Sequence, residues 1–361
     1  MILDFHIHVG DFRRAGDTER IPVTWDNLME RLDDEGIDKA VLLPVYPSPE
    51  NYIGPAFLTS GGLDVRTQVL EAARYQDRII PFGNLDPRWL GNSPEADFGP
   101  LLDWFQEQGC RGIGEITANV PIDDPRTVNM FRQAGARGLP VLIHNVGYLP
   151  GTYGLQDHPG APGLAKLLEA APQTNVVGHG QGFWAEIGAG LTMQEKMGYP
   201  KGAIEEEGAL PRLLRQYPNL YGDISAGSGH NAITRDPEYG VRFINEFQDR
   251  LAFGTDVCFG GPQDRMPHLT RPQCCQPRSH SSPALRDRPG SVPGADWNTR
   301  CDAAGDGPGG RRGRATFGGA VPASDFCGAA HHHGGAGPEC GAAGRGQRQG
   351  GPVASDHRES G

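Results

Sequence analysis

The chain alternates short apolar runs with amphipathic stretches from its first residues to about residue 256. Seven amphipathic stretches separate eight apolar runs, and most place apolar residues three or four positions apart, as Val241, Ile244 and Phe247 do. The runs are Ile2–His8, Ala40–Val45, Ile79–Asp86, Arg111–Ile116, Pro140–Asn145, Asn175–Gly180, Asn219–Ser225 and Arg250–Asp256. Strands that alternate with helices predict an α/β fold with a parallel sheet.

Boundary residues support the helices between the runs. Asp124–Pro125 and Asp236–Pro237 place a capping aspartate before a proline at the first helical position. Gly36, Gly109 and Gly138 follow the last apolar position of their stretches, where a glycine commonly ends a helix.

Eight repeats in about 256 residues match the size of a (β/α)₈ TIM barrel, which we assign to residues 1–265. The rival is a doubly wound open sheet, which a Gly-x-Gly-x-x-Gly turn after the first strand would favour. The first run has no such turn, and the Gly178, Gly180 and Gly182 spacing after the sixth run is too weak a signal. A proper eighth helix is not recognisable after the eighth run.

Residues 266–361 have a different composition, and we expect them to be a disordered low-complexity tail. From Arg271 to the end, 91 residues contain 19 Gly and 11 Arg but no Lys, Ile, Tyr or Met, and only seven large apolar residues. So little apolar surface cannot offset the entropy of ordering. Because Gly, Ala, Pro and Arg have GC-rich codons, an out-of-frame translation is one hypothesis and a genuine tail is the other. We interpret Cys274–Cys275 and His331–His333 as accidental rather than as a metal site.

Charge and composition indicate which kinds of molecule the protein is expected to bind. The net charge of −11 argues against nucleic acid, and no apolar stretch is long enough for a membrane span. The N-terminus lacks the pattern of a signal peptide. Only Cys110 and Cys258, of seven cysteines, precede residue 270, so we expect a cytoplasmic protein without a disulfide framework. A small-molecule substrate is the expected partner, and assembly into a homo-oligomer is left open.

Chemically active side chains stand where five of the eight runs end. These are His6 and His8, Glu115, His144, His179 and Asp256. Active sites of barrels form at the carboxyl ends of the strands, so these residues are expected to meet. Side chains two apart on a strand point the same way, which lets His6 and His8 bind one ion. Imidazole and carboxylate suit a divalent metal such as zinc or iron, with zinc the first expectation, and Asp256 could complete the site or hold a metal-bound water.

This ordered set resembles the amidohydrolase superfamily, in its amidohydrolase-related branch with aminocarboxymuconate-semialdehyde decarboxylase-like proteins. The resemblance covers about residues 1–265 and rests on the segments DFHIH, LPVLIHN, VVGHGQGFW and LAFGTDV. It implies a (β/α)₈ barrel with one or two divalent metal ions at its mouth. It also implies that His6, His8, His144 and Asp256 are ligands, and that His179 is a further ligand or the base that positions water.

The expected reaction is hydrolysis of an amide, ester or lactone by an activated water. Asp256 would take the proton of that water, while His179 would steady the oxyanion or protonate the leaving group. The alternative is non-oxidative decarboxylation of a small carboxylic acid, and a further alternative is an inactive barrel with a defective C-terminus. Glu115 bears on this choice, because it would either bridge two metals, favouring hydrolysis, or accept a hydrogen bond from a ligand histidine.

The remaining mouth residues are weaker candidates. We predict substrate contacts for Arg88, Asn145, Tyr148 and Trp184, which follow the third, fifth and sixth runs. The charged, Gly-rich segment Gly188–Gly208 is typical of an active-site lid or an insertion.

Overall fold

A computed structural model describes residues 1–12, 19–45 and 64–261. Every described residue belongs to the first of the two units into which the chain divides, Met1–Ala303. The predicted tail, 266–361, lies outside the described residues. An eighth helix after the eighth strand would begin beyond residue 261, so that expectation also lies outside the described residues.

Nine strands occur in the described part of the chain, and eight of them form a closed ring. The strands are β1 (Leu3–Ile7), β2 (Lys39–Leu42), β3 (Ile79–Pro81), β4 (Ile113–Ile116), β5 (Val141–Val146), β6 (Leu155–Gln156), β7 (Val176–His179), β8 (Leu220–Asp223) and β9 (Leu251–Ala252). Parallel pairing gives the orders β1-β2-β3 and β4-β5-β7-β8-β9, with the short β6 added beside β5. Parallel bridges from Gly83 to Ile113 and from Ile7 to Val257 close the ring. The predicted eight-stranded barrel is therefore confirmed.

Helices fill most connections between the strands and cover the ring. They are α1 (Trp25–Asp34), α2 (Val65–Ala72), α3 (Trp89–Asn92), α4 (Gly99–Glu107), α5 (Pro125–Ala136), α6 (Pro162–Ala170), α7 (Gln181–Trp184), α8 (Met193–Lys196), α9 (Ala209–Gln216), α10 (Ala226–Thr234) and α11 (Pro237–Phe247). Among the described residues, none of these helices is long and apolar enough to cross a membrane.

The predicted helix boundaries are confirmed at both kinds of end. Asp124 and Asp236 cap α5 and α11, each accepting a backbone N–H of the first turn, from Arg126 and Tyr239. Gly138 follows α5 with a φ of 70°, a left-handed conformation that costs glycine little.

The core has an inner and an outer layer. The inner cluster fills the ring with side chains from seven of the eight ring strands or the residues directly after them. Its members are Leu3, Phe5, Val41, Leu43, Phe82, Leu142, Val177, Tyr221 and Ala252. The outer layer packs strand residues such as Ile7 and Leu42 against Leu28 and Leu32 of α1. The filled interior leaves the carboxyl-end mouth as the place for chemistry.

An irregularity in β1 aims its histidines. The pairing register with β2 shifts between Asp4 and Ile7. Phe5 consequently lies in the inner cluster, whereas Ile7, two residues on, lies in the outer layer. Regular alternation would put both on one side, so the shift turns the chain where His6 begins, as bulges near active sites do.

The segment Gly188–Gly208 is anchored to the barrel through α8. Lys196 is fully buried and donates to Glu186 Oε1 at 2.7 Å. Met193 Sδ lies 3.2 Å from the backbone nitrogen of Tyr148. The predicted insertion is therefore packed down beside the mouth by a buried ion pair.

Candidate metal centre

Five side chains from four strand ends converge at the mouth of the barrel, and we call them the cage. They are His6, His8, Glu115, His179 and Asp256. The four residues other than Asp256 are at most 3% exposed, while the Asp256 side chain keeps 18% exposure. The cage is therefore buried on the barrel side and reaches solvent at Asp256.

The donor atoms of the cage face one another. His6 Nε2 lies 2.9 Å from His8 Nε2, and Asp256 Oδ1 lies 3.4 and 3.2 Å from these two nitrogens. Glu115 Oε2 is 3.7 Å from both. His179 Nε2 is 3.8 Å from Glu115 Oε1 and from Asp256 Oδ2. Two compact donor groups result, His6–His8–Asp256 and His6–Glu115–His179, which share His6.

The hydrogen bonds of His6 and His8 decide where their protons lie. His8 Nδ1 is 2.8 Å from the Leu43 carbonyl oxygen, which can only accept, so Nδ1 carries the proton. His6 Nδ1 is 2.6 Å from Asp223 Oδ2 and must likewise donate. Both neutral rings then present Nε2 lone pairs to each other at 2.9 Å, which is repulsive unless a cation or a proton lies between them.

Electrostatics favour the same conclusion. Burial alone would lower the pKa of His6, but the carboxylates of Asp256 and Asp223 raise it well above its usual value. Burial alone would raise the pKa of Asp256, but His6, His8 and His179 lower it below its usual range. Buried carboxylates that stay ionised around imidazoles fit a divalent cation held by nitrogen and oxygen.

Glu115 uses its two oxygens differently. Oε1 accepts from His144 Nδ1 at 2.6 Å, while Oε2 faces His6 and His8. His144 is therefore attached to the cage through Glu115, and it is in neither donor group found among the described residues. Asn84 donates to the Glu115 backbone oxygen at 2.8 Å and holds this strand end in place.

A backbone clamp holds Asp256. Its φ is 55°, an uncommon value outside glycine, and its N–H donates to the His6 oxygen at 2.8 Å. The preceding Thr255 donates its N–H and its hydroxyl to Asp4, at 2.9 and 2.6 Å. Asp4 thus joins β1 to the chain after β9 instead of sharing the cage with the histidines two and four residues later.

A cluster of aromatic side chains lies beside the cage. Its tyrosine, Tyr153, was not predicted from the sequence. Phe12, Val45 and Phe259 are buried together with Tyr153 packed against them. The Tyr153 ring lies 4.4 Å from that of His144. Burial, with the nearby Glu115 and Asp256 carboxylates, raises the pKa of Tyr153 well above its usual value. The available signal was its place in the long connection after β5, because such loops carry binding residues.

Tyr199 of the anchored segment also lies near the mouth. Its hydroxyl is hydrogen-bonded to Gln181, and Asp256 is close enough to act on its charge. The ring is 44% exposed. The segment Gly188–Gly208 thus contributes a side chain beside the cage.

The four predicted substrate-binding residues have other partners. Asn145 and Trp184 are each 1% exposed, and they donate to the backbone oxygens of Leu155 and Asp223. Both side chains therefore have buried structural partners, and substrate contact by either residue stays a prediction. The other two are nearer the surface.

Arg88 and Tyr148 are the less buried pair. Arg88 forms a two-pronged ion pair with Asp86, at 2.9 and 2.5 Å. Tyr148 lies against His158, with ring centroids 4.5 Å apart. Substrate contact by either residue stays a prediction.

The fold is a parallel barrel, and the cage at the carboxyl ends of its strands has the donor atoms of a metal-binding site. The family model described as amidohydrolase matches residues 54–288, more than half of the chain. The chain therefore belongs to the amidohydrolase family. Four of the six predicted site residues lie in the matched region, and the barrel brings His6 and His8 to them.

Several solved structures are similar in fold. A probable 2-pyrone-4,6-dicarboxylic acid hydrolase from Acinetobacter baumannii is 15% identical, with 71% of this chain and 83% of that one covered and a TM-score of 0.42. The 2,6-dihydroxybenzoate decarboxylase from Rhizobium is 16% identical, with 74% of this chain and 89% of that one covered and a TM-score of 0.41. An amidohydrolase from Burkholderia multivorans with bound zinc is 14% identical, with 71% of this chain and 84% of that one covered and a TM-score of 0.45. No curated protein sequence matches the chain.

Proposed function

We propose that this protein is a metal-dependent hydrolase that cleaves an amide, ester or lactone of a small molecule. The observation that carries the proposal is the position of Glu115, whose Oε2 lies 3.7 Å from the Nε2 atoms of His6 and His8 and whose Oε1 lies 3.8 Å from His179 Nε2. A carboxylate between histidines on two sides suits two ions, and paired ions are typical of hydrolytic sites.

The cage residues would hold the metal, with zinc the expected ion. His6, His8 and Asp256 form one donor group, and Glu115 and His179 extend it. A bound divalent ion supplies Lewis-acid polarisation of a carbonyl oxygen and lowers the pKa of water.

Asp256 is the residue placed to accept a proton. Its carboxylate is kept ionised by three histidines and retains the exposure through which a water molecule can reach it. Its left-handed backbone is held by the hydrogen bond to His6, so the carboxylate is aimed before substrate arrives. A base in this position is worth about 10²- to 10⁴-fold in rate.

His179 is placed to donate a proton to a leaving group. Its Nδ1 lies 3.0 Å from Ser225 Oγ and 3.2 Å from Asp223 Oδ2, which leaves Nε2 facing the cage. If the metal is held by His6, His8 and Asp256 without His179, Nε2 can pass a proton to the scissile bond; if His179 is a ligand, Nε2 binds the ion instead.

Non-oxidative decarboxylation is the second candidate, and one observation favours it. Glu115 Oε1 is 2.6 Å from His144 Nδ1, closer than either oxygen is to a cage nitrogen. If that hydrogen bond is the main role of Glu115, the cage holds one ion, and one ion suits a carboxylate substrate that loses CO₂.

Metal content per chain is the deciding measurement. Full-length protein is loaded with Zn²⁺, freed of excess and subjected to elemental analysis, and then assayed on esters, lactones and amides. We expect two ions and hydrolysis. One ion with CO₂ release from carboxylic acids would replace the proposal with a decarboxylase, and no ion in folded protein would leave an inactive barrel.

The Glu115→Gln variant tests whether hydrolysis requires the second ion. We expect this variant to retain one ion and to lose most hydrolytic activity. Glu186→Gln is the matched control, because Glu186 is also buried and its oxygens bind Lys196 and the Gly160 N–H instead of the cage. An unchanged ion count in Glu115→Gln would contradict the proposal that Glu115 helps to hold a second ion.

A further inference from the structure

We propose that Asp223 is a positioning residue that fixes the Nδ1 protons of His6 and His179 together. It thereby turns both Nε2 atoms into the cage. The inference rests on the metal centre of the proposed function but is independent of which reaction the centre performs.

One carboxylate oxygen lies beside both rings. Asp223 Oδ2 lies 2.6 Å from His6 Nδ1 and 3.2 Å from His179 Nδ1. The residue is fully buried, at the end of β8 between the two histidines. An ionised carboxylate can only accept, so each Nδ1 that faces it carries its proton.

Ser225 completes the arrangement. Its hydroxyl donates to Asp223 Oδ2 at 2.8 Å and lies 3.0 Å from His179 Nδ1. Its backbone N–H donates to Asp223 Oδ1 at 3.0 Å. Both oxygens of the carboxylate are thus held, and neither can turn away from the rings.

The surroundings fix Asp223 as well. The indole of Trp184 donates to the Asp223 backbone oxygen at 2.7 Å. A methyl group at Gly254 would come within 2.8 Å of His6 Cβ and 3.0 Å of Asp223 Oδ1. The absence of a side chain at Gly254 therefore lets β1 approach β8 closely enough for the His6–Asp223 contact.

The consequence is a coupling between two cage members from different strands. His6 belongs to both donor groups, and His179 belongs to one of them. A change at Asp223 releases both rings, whereas a change at either histidine removes only one donor. Loss of such an outer carboxylate typically costs about 10- to 100-fold in metal affinity.

Asp223→Asn in the full-length chain is the test. We expect its affinity for Zn²⁺, measured by competition with a chromophoric chelator, to fall about 10- to 100-fold. We also expect ¹⁵N spectra of histidine-labelled, metal-free protein to show that His6 or His179 no longer carries its proton on Nδ1. An unchanged affinity with unchanged ring protonation would overturn the proposal.

Asp157→Asn is the matched control. Asp157 is 2% exposed and accepts the N–H groups of Gly163 and Leu164 at 2.9 Å, so the change removes a buried carboxylate from another part of the barrel. We expect it to lower stability and to leave both Zn²⁺ affinity and the cage protonation unchanged. An equal loss of affinity in this control would attribute the effect of Asp223→Asn to general loosening.

The same two measurements on the unsubstituted protein also test the proposal, and they do not require a variant that folds. If either His6 or His179 lacks an Nδ1 proton in metal-free protein, Asp223 does not have the proposed role. If Nδ1 is protonated in both rings but the protein binds no Zn²⁺, the metal centre fails while the positioning by Asp223 stands.

Discussion

His6 and His8 meet through nitrogens that cannot bond to each other as neutral rings. Their Nδ1 protons are taken by Asp223 and by the Leu43 carbonyl, and their Nε2 atoms are 2.9 Å apart. An arrangement that is repulsive between neutral rings and becomes favourable around a cation or a shared proton is one that a metal site would have.

Replacing both residues, His6→Ala with His8→Ala, is expected to abolish metal binding, because both donor groups lose His6 and one also loses His8. Elemental analysis after loading with Zn²⁺ measures this. His158→Ala is the control, since His158 is exposed and stacks on Tyr148. Full zinc content in the double variant would refute the cage.

Asp4 provides a pH-dependent prediction. Burial raises its pKa from 3.8 to about 7, against the hydrogen bonds from Thr255 and His6 that lower it. Because the folded-state pKa is raised, Asp4 contributes stability below pH 4 that is lost as pH rises through 7. A shift of this size corresponds to about 4 kcal/mol.

Asp4→Asn removes that titration. The unsubstituted protein should exceed the variant in unfolding free energy by more at pH 5 than at pH 7.5. Urea unfolding at the two pH values measures the difference. A gap that is the same at both would show that Asp4 does not titrate in this range.

At the scale of elements, the segment Gly188–Gly208 illustrates how one buried charge attaches an insertion. Lys196 at the end of α8 donates to the Gly182 oxygen at 2.8 Å and to Glu186 Oε1 at 2.7 Å. Burial raises the pKa of Glu186 despite the opposing Lys196 charge. Tyr199, three residues beyond Lys196, depends on this anchor for its place beside Gln181.

Lys196→Met is expected to cost about 3–5 kcal/mol in unfolding free energy, because Glu186 would remain buried without its cation. Urea unfolding measures the loss. Adding Glu186→Gln should restore much of it, since the uncompensated charge is removed. A loss that the second change does not reduce would mean that Lys196 acts by packing alone.

At the scale of the whole molecule, the first and last strands of the ring meet at the candidate metal centre. Asp256 N–H donates to the His6 oxygen, and Thr255 is bound to Asp4. A metal held by β1, β4, β7 and the chain after β9 would join parts of the sequence that lie about 250 residues apart. Binding at such a centre stabilises the folded state by mass action.

Removal of metal should therefore lower the melting temperature of the whole protein. Zinc at 1,000 times its dissociation constant would stabilise it by about 4 kcal/mol. Scanning calorimetry with and without a chelator measures the shift. The double variant His6→Ala, His8→Ala should show none, and an equal shift in both proteins would place the metal elsewhere.

Much of the barrel could be predicted from local patterns. The eight runs correspond to the eight ring strands, although the third and eighth are shorter, at Ile79–Pro81 and Leu251–Ala252. The extra strand β6 was not predicted, because two residues beside β5 leave no periodic signal. The register shift in β1 escaped prediction as well, since it depends on pairing with β2.

The candidate site was partly predictable for the same reason. Strand-end positions pointed to the cage residues, and periodicity alone placed them at one edge. The sequence suggested that Glu115 could accept from a ligand histidine, but it did not identify His144 as that histidine. It also gave no partners for Asn145 and Trp184, because side-chain direction at a strand end depends on neighbours from other strands. Tyr153 and Tyr199 lie in loops without periodicity, so only the fold reveals their position.

By itself, the sequence determined the repeating order of strands and helices and the residue types at their ends, because these follow from short-range periodicity and capping. Only the tertiary structure decided which of those residues meet and where their protons lie. Those outcomes depend on contacts between residues far apart in the chain, such as His6 with Asp223 and Thr255 with Asp4. No local pattern encodes such contacts, since they form only when the ring closes.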